Sequence, residues 1–165
     1  MRIPTDPFRD FPDNARIWVI AADRDLDASE RQAIFSRLTS FFEAWSSHGR
    51  KVVADCTIQR DRFIIVGAYV PGNDVSGCGI DASVKELDAI AEETGFARAP
   101  ILDVFFAGEQ GVSQVDRATF ASLARGGSVG SETMIFDTSI AEAADWKQGR
   151  FERPISESWH ADVFF

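Results

Sequence analysis

The feature that most constrains the fold of this chain is its most apolar run, Phe63-Ile-Ile-Val-Gly-Ala-Tyr-Val70. The run is rich in β-branched and aromatic residues and ends at the turn-rich Pro71-Gly-Asn-Asp74, a pattern typical of a buried strand. The next segment, Ser76-Gly-Cys-Gly-Ile-Asp-Ala-Ser-Val84, combines glycines with the beginning of a helical pattern. Backbone N–H groups point outward where a strand, a glycine-rich turn and a helix meet, so this junction predicts a site for an anion or a thiolate.

The order of the predicted elements indicates an α+β fold. The first helix follows a capping box at Asp27-Ala-Ser-Glu30 and is expected to end at Gly49, and the second is expected from Asp81 to Thr94. We therefore predict a ferredoxin-like βαββαβ core, a mainly antiparallel sheet with helices on one face. The four strands of this core are predicted at residues 16–22, 52–59, 62–70 and 102–107.

A chain of 165 residues is expected to form a single domain. Residues 1–15 contain three prolines and predict an extended N-terminal arm with Phe8 and Phe11 as anchors. Residues 16–107 form the predicted core. Residues 108–165 are too rich in aromatic side chains to remain exposed, and we expect this extension to pack back on the core.

Charge and composition exclude several classes of function. The chain has 26 acidic and 17 basic residues without a basic cluster, which disfavours nucleic-acid binding. No apolar run suggests a signal peptide or a membrane span, so we expect a cytoplasmic protein without a membrane partner. Two cysteines argue against a disulfide framework. The sequence leaves the oligomeric state open.

Several common catalytic motifs are missing. The sequence has no Gly-x4-Gly-Lys-Ser/Thr, no Cys-x2-Cys, no His-Glu-x2-His and no Gly-x-Ser-x-Gly. Gly77-Cys-Gly-Ile-Asp-Ala82 fits a loose dinucleotide pattern, but Asp81 would place a negative charge close to the pyrophosphate. No particular cofactor is therefore predicted.

Cys78 is the sharpest candidate for a reactive group. A cysteine at a helix N-terminus can have its thiolate stabilised by the helix dipole and by backbone donors. Asp81, three residues later, opposes this effect unless it turns away to cap the helix. The alternative is that Cys78 is a small apolar residue in a tight turn, as Cys56 is expected to be within its strand.

The two histidines of the chain, His48 and His160, each follow a tryptophan closely, Trp45 and Trp159. We expect His48 at the end of the first helix and His160 near the C-terminus, and either histidine could reach the Cys78 turn in the folded chain. The alternative is a capping or surface role. The set Cys78, His48, His160 and Asp81 has the right ligand types for a metal, but its spacing gives no independent support.

Two hypotheses of function follow, and a metal-dependent hydrolase is a third. In the first, Cys78 is a nucleophile or redox thiol acting on a small anionic or carbonyl substrate, and a histidine is the base. In the second, the tryptophans line the same pocket, which binds a small molecule or a protein without catalysis. The residues expected to hold the ligand are Ser76, Gly77, Gly79, Ser83, Trp45, Trp159 and Arg24.

Three segments resemble a family of small bacterial proteins often labelled "ABC transporter ATPase". They are Trp45-Ser-Ser-His-Gly49, Ser76-Gly-Cys-Gly-Ile-Asp-Ala-Ser83, and Ser158-Trp-His160 followed by Phe164-Phe165. The family pattern has serine where this chain has Gly79. The resemblance implies that these segments belong together but names no reaction. The transporter label does not fit this chain, because a P-loop and an ABC signature are both missing.

Overall fold

The computed structural model describes residues 2–72 and 77–165. For residues 77–80 it describes the backbone alone. The described chain is α+β, as predicted, with five helices and antiparallel sheets. The strands are β1 (Arg16–Ala21), β2 (Ser46–Ser47), β3 (Arg50–Lys51), β4 (Val53–Gln59), β5 (Phe63–Tyr69), β6 (Val104–Gly108), β7 (Gly111–Val115), β8 (Met134–Phe136) and β9 (Glu152–Pro154). The helices are α1 (Ala28–Ala44), α2 (Gly77–Thr94), α3 (Arg117–Arg125), α4 (Ala143–Lys147) and α5 (His160–Phe164), with a 3-10 turn at Ile155–Glu157.

The apolar run forms β5, the middle strand of a three-stranded sheet with the order β1-β5-β4. Both neighbours pair with β5 in antiparallel register. Residues 63–68 of this strand are buried. Side chains alternate along a strand, so this burial means that both faces of the first sheet are covered.

A second sheet with the order β7-β6-β8-β9 covers one face of the first. Phe63 lies between the two sheets, with its ring centroid 5.2 Å from that of Phe105 and 5.3 Å from that of Phe136. Helices α1 and α2 pack on the outer face of the first sheet, and α3 and α5 on the outer face of the second. The layers are thus helix, sheet, sheet, helix, whereas the sequence predicted helices on one face only.

The strand order does not confirm the ferredoxin-like topology, because the fourth predicted strand, β6, belongs to the second sheet. Along the edge of β1 that faces away from β5, the described residues form only two short contacts, a bridge between Ala22 and Arg98 at one end and between Arg16 and Glu142 at the other. Pro100 follows the first of these contacts. The carbonyl of Pro100 accepts a hydrogen bond from the N–H of Asp103 at 3.0 Å, so the chain turns away from β1 there.

The first helix begins as predicted and ends earlier. The side chain of Asp27 accepts a hydrogen bond from the backbone N–H of Glu30 and the reciprocal bond is present, a complete capping box. The helix ends at Ala44 because Trp45 is extended. His48 and Gly49, both with positive φ, then form the turn between β2 and β3. Gly49 therefore lies in a hairpin turn and not at the end of α1.

The second helix begins four residues earlier than predicted, at Gly77 rather than at Asp81. The segment expected as a glycine-rich turn is the first turn of α2, and Asp81 lies exposed inside the helix. Asp81 therefore does not cap the helix. Glycine is a poor helix former, which explains why the sequence pattern favoured the later start.

The N-terminal residues lie against the face of the first sheet that meets the second sheet. Phe8 is fully buried there, and a Cβ atom placed on Gly67 of β5 would be only 2.6 Å from Cε1 of Phe8. The hydroxyl of Thr57 donates to the carbonyl of Pro4 at 2.6 Å. No helix in the described part of the chain is long and apolar enough to cross a bilayer.

Candidate binding site

Trp159 and His160 border a small recess at the end of β8. Asp137 and Ser139 reach the recess because they directly follow that strand, and Arg117 reaches it from the first turn of α3. The recess has a volume of about 50 Å³. It has room for a few water molecules, which makes it far smaller than the pockets that bury whole ligands.

Asp137 is the centre of the polar network in this recess. Its side chain is only 4% exposed, and its Oδ2 lies 3.4 Å from Nη2 of Arg153 on β9. Its Oδ1 accepts hydrogen bonds from the backbone N–H of Ser139 at 2.9 Å and from Nε1 of Trp159 at 3.3 Å. The carboxylate thereby joins the C-terminal segment to the second sheet.

His160 is buried and its ring stacks on Trp159, with the ring centroids 3.8 Å apart. The hydroxyl of Ser158 donates to the carbonyl of Ile155 at 3.0 Å and lies 3.1 Å from Nδ1 of His160. Because the hydroxyl proton is already donated, we assign the ring proton to Nδ1 and the lone pair to Nε2. Burial lowers the pKa of His160 to about 4, so the imidazole is neutral at neutral pH.

Arg117 supplies a positive charge at the edge of the recess. Its guanidinium carbon lies 5.6 Å from the centroid of a Trp159 ring, within the range of a cation–π interaction. Arg117 is exposed. An exposed contact of this kind contributes on the order of 0.5–1 kcal/mol and helps to hold Trp159 in place.

A larger pocket of about 430 Å³ lies next to the recess and shares Ile101 and Thr138 with it. It runs along the edge of β1 and is bounded by residues 98–101 and by Thr138 and Ile140. Its volume falls within the roughly 300–1,000 Å³ typical of ligand sites. Most of the side chains that line it are apolar, and Arg98 is the one charged residue among them. Ile101, at its border, is 91% exposed.

Trp45 lies elsewhere, inside the cluster between the first sheet and its helices. It is 4% exposed, and its ring centroid lies 6.3 Å from that of Trp18 in an edge-to-face contact. The indole N–H has no hydrogen-bond partner among the described residues. Trp45 is therefore a core residue, separated from Trp159 by both sheets.

The two histidines lie on opposite sides of the molecule. His48 is exposed in the turn between β2 and β3, and β2 contacts α2. His160 packs against Phe120 and Phe164 beyond the second sheet. The structure therefore brings His48, and not His160, to the side of α2.

The other predicted site residues are scattered. Arg24 is exposed and forms an ion pair with Glu30, with Nη1 2.9 Å from Oε2. Ser83 is fully buried in α2. Ser76 and the side chain of Cys78 lie outside the described residues, and for Gly77 and Gly79 the structure describes the helical backbone alone. The predicted residues therefore do not form one common pocket in the part of the chain that is described.

Cys56 is buried in β4 and is a free thiol. Burial, together with the neighbouring Asp55, raises the pKa of this thiol well above its ordinary value. Among the described residues, no group of three or more His, Cys, Asp and Glu side chains could hold a metal ion. Cys56 is accordingly a packing residue.

Sequence reasoning missed Asp137, Arg117 and the whole wall of the larger pocket. One signal was present, since Asp137 follows the apolar triplet 134–136, and a carboxylate directly after a short buried strand must find a partner when it is buried. The pocket wall had no such signal, because its segments are distant in sequence. Compared with protein-family models, with curated proteins and with solved structures, the chain has no match.

Proposed function

We propose that this protein binds a small, mainly apolar ligand without catalysing a reaction, and that the ligand occupies the pocket along β1. The observation that carries the proposal is the pocket itself, which is about 430 Å³ in volume and is lined mostly by apolar side chains, among them Phe105, Ile140 and Pro100. Ligand sites in proteins share this size and character. Arg98 would orient a polar or anionic group of the ligand.

Two properties of the neighbouring recess favour binding over catalysis. Asp137 is occupied by Arg153 and by donors from Ser139 and Trp159, so it is not available as a base. Burial lowers the pKa of His160 to about 4, which makes the imidazole a poor proton acceptor at neutral pH. We interpret the recess as a rigid support that fixes Thr138 at the pocket wall.

The dye anilinonaphthalenesulfonate tests this proposal, because it combines an apolar ring system with one anionic group. We expect saturable binding to the folded protein, measured by dye fluorescence. Thr138→Trp should weaken this binding at least tenfold, since the larger side chain would fill the pocket. Ala118→Trp, at an exposed position of α3, adds the same side chain away from the pocket and should leave binding unchanged. Equal binding by both variants would contradict the proposal.

Thiol-dependent catalysis at Cys78 is a second candidate, and the start of α2 favours it. Because α2 begins at Gly77, Cys78 is the second residue of an 18-residue helix, where the helix dipole stabilises a thiolate. His48 lies in the hairpin formed by β2 and β3, and β2 contacts α2. In this proposal Cys78 attacks a carbonyl or anionic substrate, and His48 is the base.

Alkylation by iodoacetamide across a pH series separates the two cysteines. We expect Cys56 to stay unmodified in the folded protein at every pH, because burial both shields its thiol and raises its pKa. If Cys78 is a catalytic thiol, we expect its alkylation rate to reach a plateau below neutral pH. The Cys78→Ser variant isolates the signal of Cys56, and urea should expose that thiol. A rate at Cys78 that rises only above pH 8, as for an ordinary thiol, would exclude thiol catalysis.

Three further proposals concern the location, the relatives and the topology of the protein. We place the protein in the cytoplasm, supported by a buried free thiol rather than a disulfide. On the basis of the three shared motifs, we propose that the chain is related to the small bacterial family it resembles. We also propose that the first sheet, with its order β1-β5-β4, is a ferredoxin-like sheet that has lost its fourth strand.

A further inference from the structure

We infer that the pocket along β1 recognises an extended peptide by adding it to the edge of the first sheet. This inference rests on the proposed binding function and names the chemical class of the ligand. The hydrogen-bond register of β1 decides which main-chain groups face the pocket.

The even-numbered residues of β1 direct their main-chain groups toward β5. Beyond the end of the strand the same alternation continues, and the N–H of Ala22 donates to the carbonyl of Arg62 at 2.9 Å. The odd-numbered residues face the other edge. There the N–H of Ile17 donates to the carbonyl of Ala141 at 2.9 Å, and the carbonyl of Ala21 accepts from the N–H of Ala99 at 2.8 Å.

Val19 lies between these two bonds, and its N–H and carbonyl both face the pocket that it lines. Neither group has a hydrogen-bond partner within the described residues. An unpaired main-chain pair on a strand edge is a template for another strand. At this edge the template is restricted to the gap between residues 97–99 and residues 141–143.

An extended peptide matches this gap better than a compact molecule does. One residue opposite Val19 would donate its N–H to the Val19 carbonyl and accept from the Val19 N–H, as in an antiparallel pair. Both flanking bridges are antiparallel, which favours that direction. The distance along the strand from Ile17 to Ala21 is about 13 Å, so the gap accepts about three residues.

The pocket wall also indicates which side chain the peptide should carry. Directly opposed residues in a pair of strands place their side chains on the same face. Val19 packs against the cluster between the two sheets, where Phe105 and Ile140 also lie and line the pocket. The central side chain of the peptide should therefore be apolar. The N-terminus of an antiparallel peptide would lie near Arg98, where a free and positively charged amino group would be repelled. The amino group of the peptide should therefore be acetylated or joined to a preceding residue.

The probe for this inference is the capped peptide acetyl-Thr-Val-Thr-amide, titrated into isotope-labelled protein and followed by amide NMR. We expect saturable shifts centred on the amide of Val19. A peptide that is N-methylated on its central valine has lost the donor for the Val19 carbonyl and should bind about tenfold more weakly or worse. Equal binding by the two peptides would overturn the inference.

Val19→Pro tests the reciprocal bond, from the Val19 N–H to the peptide carbonyl. Proline removes an N–H that the ladder to β5 does not use, so we expect the fold to be retained and peptide binding to be lost. If this variant does not fold, the test of strand addition is the comparison of the two peptides, both titrated into the parent protein. Binding of anilinonaphthalenesulfonate without binding of the peptide would overturn strand addition and leave the proposed function intact. Failure of both ligands would overturn both.

Discussion

Replacing Asp137 by alanine is expected to lower the free energy of unfolding by about 3–5 kcal/mol, the usual cost of breaking a buried ion pair by removing one partner. The carboxylate is 4% exposed and its partner Arg153 is 19% exposed, so the remaining charge would be poorly solvated. The indole N–H of Trp159 and the backbone N–H of Ser139 would also lose an acceptor. Urea unfolding followed by tryptophan fluorescence measures the change.

Asp162→Ala, at an exposed position of α5, is the matched control and should change stability by less than about 0.5 kcal/mol. A double variant, Asp137→Leu with Arg153→Met, removes both charges and should lose less stability than Asp137→Ala, because it leaves no uncompensated cation. A loss below about 1 kcal/mol for Asp137→Ala would mean that this carboxylate is not a structural anchor.

Replacing Phe8 by alanine is expected to cost about 3–5 kcal/mol, as for other large buried aromatic side chains. Phe8 is fully buried, and its ring contacts Phe11 and Trp146 with centroid distances of 5.4 Å in each case. Its removal would open a cavity beside Gly67, where the backbone of β5 passes close to the ring. The N-terminal residues would thereby lose their main contact with the sheet.

Phe165→Ala is the control for this variant, because Phe165 is 57% exposed and its removal should have little effect. Urea midpoints give the stability difference, and limited proteolysis reports whether the first fifteen residues become accessible. Unchanged stability together with unchanged proteolysis of Phe8→Ala would contradict the role of this side chain as an anchor of the N-terminal segment.

The two sides of the molecule favour different functions. The side of α2 carries the start of that helix with Cys78 and the hairpin with His48, the elements of the thiol proposal. The side of the second sheet carries the pocket and its rigid support around Asp137. The binding proposal is stronger because its pocket has the size of a ligand site and its open strand edge specifies a ligand class.

The sequence alone determined those features that depend on neighbouring residues. The capping box of Asp27 and Glu30 is one example, since both partners lie within one helical turn. The hairpin between the strands predicted at 52–59 and 62–70 is another, because the two polar residues Arg60 and Asp61 at this point leave the chain few other connections; both adopt positive φ. The burial of β5 follows from its uninterrupted apolar composition.

Only the tertiary structure decided which residues meet. The motifs that contain Trp45 and Trp159 look alike in sequence, yet one tryptophan lies in the core beside α1 and the other beside a recess of the second sheet. The pocket depends on β6 joining the second sheet and leaving the edge of β1 open at Val19. Strand partners distant in sequence are selected by the packing of whole faces, which no local pattern of residues records.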